Sequence, residues 1–195
     1  RETGRGFAMS VGVEWSGHCP PSWPVWARNW VSTPGSLTQR LVRLDKGFKV
    51  EPVAQDNVLI KHAPSVRGLG MSGQMMRQRL VRLHVNNVPV VLAQTLVEMD
   101  GPVNDWHFWR GLGTRSLGTV LFSDPQVKRG KLYFARLPLQ QPWVQRLLPP
   151  EMKADMNRLG SGRVWYARCA RFTRKPNRTP LWVMEVFLPQ LEYYL

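Results

Sequence analysis

The sequence predicts one α+β domain organised around an antiparallel sheet, and three features carry that reading. Residues 77–85 (RQRLVRLHV) and 90–97 (VVLAQTLV) are β-forming runs separated by Asn86-Asn87-Val88-Pro89, a turn signal, so they fold back as a hairpin. Residues 163–173 and 180–188 form a second pair, joined by the turn RKPNRT at 174–179. Residues 36–44 (SLTQRLVRL) place Leu37, Leu41 and Leu44 at helical spacing behind Ser36, a favourable N-cap. No internal repeat or low-complexity tract interrupts this pattern.

The other elements follow in order. Residues 1–10 carry no fold signal, and residues 1–25 as a whole read as a loop-rich N-terminal segment ahead of a domain at 26–195. After CPPSWP at 19–24, the apolar stretch VWARNWV at 25–31 fits one or two helical turns laid across the domain. Residues 48–53 alternate as a strand, which 57–61 either continue or pair with. Residues 64–76, rich in glycine, serine and methionine, read as a mobile connection. Residues 105–110 fit a helical turn, 131–136 a strand, and 144–159 a helix broken at Pro149-Pro150. The glycine-punctuated stretch 112–122 matches neither the P-loop nor the dinucleotide fingerprint, so it is not read as a phosphate cradle.

Glu185 lies inside LWVMEVFLP (181–189), an otherwise apolar run bounded by prolines that reads as a buried strand. Burying a bare carboxylate costs several kcal/mol, roughly, unless a cation or hydrogen-bond donors meet it. On the strand 77–85, Arg79 shares a face with Val81, Leu83 and Val85, so its guanidinium is expected to project toward the core. Arg79 and Glu185 are therefore expected in one pocket. The structural alternative is an ordinary buried ion pair, or an arginine at the sheet margin that snorkels to solvent.

Composition bounds the rest. A 195-residue chain with 43% hydrophobic residues and nine tryptophans can bury a sizeable core without disulfides or metal. Lys+Arg of 27 against Asp+Glu of 13 give a net charge of +14, which favours anions. The basic residues are scattered, with no zinc-finger spacing and no RNA-recognition motif, so small polycarboxylates fit as well as nucleic acid. Cys19 and Cys169 lack disulfide or metal-ligand spacing and read as inert thiols of a reducing compartment. The longest apolar stretches, such as 88–97, are well short of the roughly 20 residues of a membrane span. No secretory signal pattern opens the chain, and a cytoplasmic location is expected.

Taken in order, GSLTQRL (35–41), RLVRLHV (79–85), VPVVLAQT (88–95), LGTRSLGTVLF (112–122) and MEVFLP (184–189) resemble the chorismate pyruvate-lyase family, which makes 4-hydroxybenzoate for ubiquinone biosynthesis. The resemblance spans residues 26–189. It implies a six-stranded antiparallel sheet with helices packed over it and a nearly closed ligand site under two flaps. It also implies elimination of pyruvate from chorismate by a monomer, with no cofactor, no metal, and no obligate nucleic-acid partner. The family's arginine and glutamate fall on Arg79 and Glu185, and its further substrate contacts on Leu37 and Leu117, where backbone groups are expected to matter most. Leu37 also suits an amphipathic-helix core, and Leu117 a loop anchor.

The resemblance assigns Arg79 to a substrate carboxylate or to the departing enolpyruvyl oxygen. It assigns Glu185 either to hydrogen-bonding the ring hydroxyl or, if burial raises its pKa, to proton movement. One departure stands out. Relatives carry Gly-Arg-Thr where this chain has Ala93-Gln94-Thr95, which implies that a second arginine in or near the site has become a neutral amide. Lower affinity, compensation by another basic residue and a drifted activity are the three outcomes this leaves open. If Gln94 faces the ligand, Gln94→Arg should tighten product binding. Two other function classes also fit: an effector-binding domain of the same fold that senses a small anion, and a basic nucleic-acid-binding protein.

Overall fold

The computed structural model describes residues 13–44, 47–60, 73–99, 104–138, 140–159 and 164–194. The expectations for residues 1–10, and for most of the connection at 64–76, lie outside the described residues. Six strands form one sheet in the order β1-β2-β3-β6-β5-β4, with every neighbouring pair antiparallel: β1 (Lys49–Ile60), β2 (Gln74–Val85), β3 (Val88–Glu98), β4 (Val127–Pro138), β5 (Val164–Arg174) and β6 (Thr179–Phe187).

Both expected hairpins form. Asn86 and Asn87 take φ of 52° and 61° between the paired Val85 and Val88, the left-handed pair that a two-residue hairpin turn requires and asparagine tolerates. The two runs expected at 48–53 and 57–61 form one strand rather than two, since β1 (Lys49–Ile60) runs on through a register shift between Pro52 and Ala54. Proline is tolerated there because β1 is an edge strand.

Helices cover both faces. On one lie α4 (Pro142–Leu147) and α5 (Pro150–Leu159), the two halves of the helix expected at 144–159, each opened by a proline suited to a first turn. Trp143, Val144 and Leu147 of α4 pack there against Leu80, Leu92 and Met184. The opposite face carries α1 (Val25–Val31), α2 (Leu37–Val42) and α3 (Leu117–Ser123), together with a 3-10 turn at His107–Gly111. Trp30 of α1 is fully buried, and its indole Nε1 donates to the Leu191 carbonyl at 3.1 Å. The Ser36 hydroxyl accepts from the Gln39 amide at 3.3 Å, the cap that the sequence called for at α2.

Asp105 fastens the β5–β6 turn. Its carboxylate, 3% exposed, accepts from the amide and side-chain amide of Asn177 and from the amide and hydroxyl of Thr179. Burial pushes this carboxyl upward, but the Thr179 and Asn177 donors outweigh that effect and hold it below the usual range. Among the described residues, no helix is long and apolar enough to cross a membrane. Cys19 and Cys169 are both free, and complete burial pushes the Cys169 thiol well above its ordinary value, in keeping with an inert thiol.

Candidate active site

Strand alternation decides which residues meet. On β2, Arg79, Val81 and Leu83 point to the face under α2 and α3, and on β3 so do Ala93 and Thr95. Val183 and Glu185 of β6 and Arg168 and Ala170 of β5 continue the same surface. The two short helices α2 and α3 close over it with Leu37, Thr38, Ser116, Leu117 and Leu121. The result is a mostly apolar cavity whose charged lining, among the described residues, consists of Arg79, Arg129, Arg168 and Glu185.

The four sequence-predicted site residues, Leu37, Arg79, Leu117 and Glu185, all line this one cavity. Leu37 and Leu117 are the first residues of α2 and α3, where a backbone N–H has no acceptor inside its own helix. The two caps touch: the Thr38 and Ser116 hydroxyls are hydrogen-bonded at 2.6 Å. A Cβ on Gly118 would come within 2.5 Å of Thr38 Oγ1, so only glycine permits this approach.

Arg79 and Glu185 share the cavity but are not paired. Glu185 accepts from Arg168 Nε at 2.5 Å, across the in-register Arg168–Glu185 pair of the second hairpin. Arg168 is buried and Glu185 largely so, and Arg168 Nη1 also donates to the carbonyls of Val31 at 3.3 Å and Thr33 at 3.1 Å, at the end of α1. The signal for Arg168 was present in the sequence: a turn with 174 opposite 179 sets 168 opposite 185.

Arg79 instead donates through Nη2 to the carbonyls of Gly113 at 2.7 Å and Arg115 at 3.3 Å, in the loop entering α3. It is 2% exposed and has no carboxylate partner among the described residues, and burial pulls its guanidinium below its usual value. It is not the only cation available to an anion, because Arg129 and Arg168 face the same cavity. Arg129 donates to the carbonyls of Pro34 and Gly35, ahead of α2, and lies over the Phe122 ring of α3 with its guanidinium carbon 5.4 Å from the centroid.

Gln94 corrects the remaining expectation. Its neighbours Ala93 and Thr95 face the cavity, so strand geometry turns Gln94 to the opposite side of the sheet. There it is buried and donates to Gln78 Oε1 at 2.6 Å, while Gln78 in turn donates to Asp56 at 2.9 Å. A neutral amide at this position therefore removes no charge from the cavity.

Residues 20–193 match the sequence model of the family described as Chorismate lyase. The chain belongs to the chorismate lyase family. Among curated chorismate lyase relatives, a "Probable chorismate pyruvate-lyase" of Cupriavidus metallidurans is 38% identical over 91% of this chain and 80% of its own length. One of the same name from Ralstonia nicotianae is 34% identical over 97% of this chain and 96% of its own. Among solved structures, PhnF from Mycobacterium smegmatis is similar in fold, with a TM-score of 0.51 at 14% identity over 80% of this chain and 64% of that one. That likeness concerns the sheet and its covering helices, the scaffold on which the chorismate lyase cavity is built.

Proposed function

We propose that this protein eliminates pyruvate from chorismate to give 4-hydroxybenzoate, the first committed step of ubiquinone biosynthesis. The observation that carries this reading is a mostly apolar cavity walled, among the described residues, by three arginines and a single carboxylate, in a chain whose curated relatives are named for this reaction. Chorismate is a dianion with an apolar ring, and a cavity with a formal excess of two positive charges suits it.

In the reaction the bond between the ring and the enolpyruvyl oxygen breaks, and that oxygen leaves as the ketone oxygen of pyruvate. The ring carbon bearing the hydroxyl loses its hydrogen, and a proton ends on the methylene of the departing arm. Aromatisation drives the step, so the protein needs neither a nucleophile nor a cofactor. Its contribution is to hold the arm in a reactive conformation and to neutralise charge in a dry cavity.

Arg79 is assigned to the ring carboxylate, with its alignment kept by the Gly113 and Arg115 carbonyls. Glu185, oriented by Arg168, receives the ring hydroxyl. Leu37 and Leu117 press on the ring from the caps and offer backbone N–H groups to the ligand's polar edge. The test is release of pyruvate and 4-hydroxybenzoate from fresh chorismate by the purified protein, with a chelator present. Equal amounts of both are expected. Tight binding without release would make this an effector domain instead.

A further inference from the structure

We propose that Arg129 is a second anion-binding residue of the cavity, so that a dicarboxylate is held from opposite ends of one sheet face, by Arg79 from β2 and by Arg129 from β4. This deepens the lyase reading and rests on it only for the identity of the dianion. Of the cavity's charged groups, Glu185 and Arg168 neutralise each other at 2.5 Å. Arg79 and Arg129 have no carboxylate partner among the described residues and donate to backbone carbonyls. These two are the uncompensated cations.

Their placement suits a ligand with two separated carboxylates. Strands β3, β6 and β5 lie between β2 and β4, so four strand spacings set the two backbones on the order of 19 Å apart. Two long side chains reaching inward close much of that distance, with Glu185 on the central strand between them.

Arg129 reaches the cavity through a local irregularity. The β4–β5 register shifts between Arg129 and Leu132, and this bulge brings Arg129 onto the cavity face with Leu132, where strict alternation would put the two on opposite faces. Gly130 sits in the shift, where a Cβ would come within 3.1 Å of the Arg171 carbonyl. A guanidinium carries five N–H donors, so after its bonds to Pro34 and Gly35 this one keeps donors for a carboxylate. It lines the cavity on the far side of Glu185 from Arg79, which assigns it the carboxylate of the enolpyruvyl arm, the one nearest the group Glu185 handles.

The experiment compares two ligands by calorimetry: 4-hydroxybenzoate, with one carboxylate, and the non-reactive aromatic dicarboxylate that keeps this hydroxyl and carries an enolpyruvyl ether on the adjacent ring carbon. Arg129→Gln should weaken the dicarboxylate about tenfold or more and the monocarboxylate less than about threefold. Arg129→Lys, which keeps the charge and the stem, should recover part of that loss. Equal losses for both ligands in a folded variant would mean that Arg129 only fastens the cap, and no loss for either would mean that it does not meet the ligand. Both results overturn the proposal.

Should Arg129→Gln fail to fold, the wild-type protein decides: dicarboxylate affinity must fall more steeply with salt than monocarboxylate affinity, and equal slopes reject the second cation. Pyruvate release is scored separately. A protein that binds the dicarboxylate through Arg129 yet releases no pyruvate would sink the lyase reading and leave this one standing.

Discussion

Arg168 and Arg79 line the same cavity and are held in different ways, so removing each should have different consequences. Arg168→Met leaves the largely buried Glu185 without its cation and strips the donor from the Val31 and Thr33 carbonyls. It should cost about 3 to 5 kcal/mol in urea unfolding. Arg79→Met removes a buried cation bonded, among the described residues, to carbonyls, and should cost less than about 2 kcal/mol. Equal costs would mean that Glu185 relies on Arg79 after all. Glu185 was legible in the sequence because a carboxylate within an apolar strand has to be met, and Arg79 because alternation places it beside Val81 and Leu83. Arg168 went unread among the several arginines of its strand until hairpin register singled it out. Arg129 was hidden by a bulge that no periodicity announces. Gln94 drew attention through its departure from relatives, yet one step of strand alternation removes it from the site.

At the scale of elements, the caps α2 and α3 meet through a single hydroxyl pair and a glycine that permits close approach. Ser116→Ala removes the hydroxyl bond without adding volume, so 4-hydroxybenzoate should dissociate several-fold faster with little change in melting temperature. Gly118→Ala should do more, because its methyl group would displace Thr38. Stopped-flow displacement of product measures both rates. Unchanged dissociation in the two variants would show that the ligand does not leave between these helices. The sequence signalled α2 clearly through Ser36 and the spacing of Leu37, Leu41 and Leu44. The stretch 112–122 carries no helix signal, and Leu117 opens a helix rather than anchoring a loop: the seven residues of α3, behind two glycines, have too few turns to show a period. The sheet order was not readable from spacing at all: β3 pairs with β6, distant in sequence, and only the family resemblance implied six strands.

For the whole molecule, acid stability follows from the carboxylates that fasten the fold. Asp105 sits below its ordinary value because its four donors outweigh its burial. A depressed folded value means that its stabilisation is complete above about pH 4, the unfolded value, and is lost as pH falls through the folded one. Below about pH 4 the wild-type melting temperature should therefore drop more steeply than that of Asp105→Asn. Parallel curves would remove Asp105 from the acid response.

The central claim is that the cavity under α2 and α3, lined among the described residues by three arginines and one carboxylate, performs the elimination. Turnover of fresh chorismate by wild type and by Glu185→Gln, followed as 4-hydroxybenzoate absorbance in preparations of matched melting temperature, tests it most directly. The account predicts that wild type forms 4-hydroxybenzoate and pyruvate together while the variant is slower by roughly a hundredfold. Wild-type protein that leaves chorismate intact, or a folded variant that turns over at the wild-type rate, would contradict it.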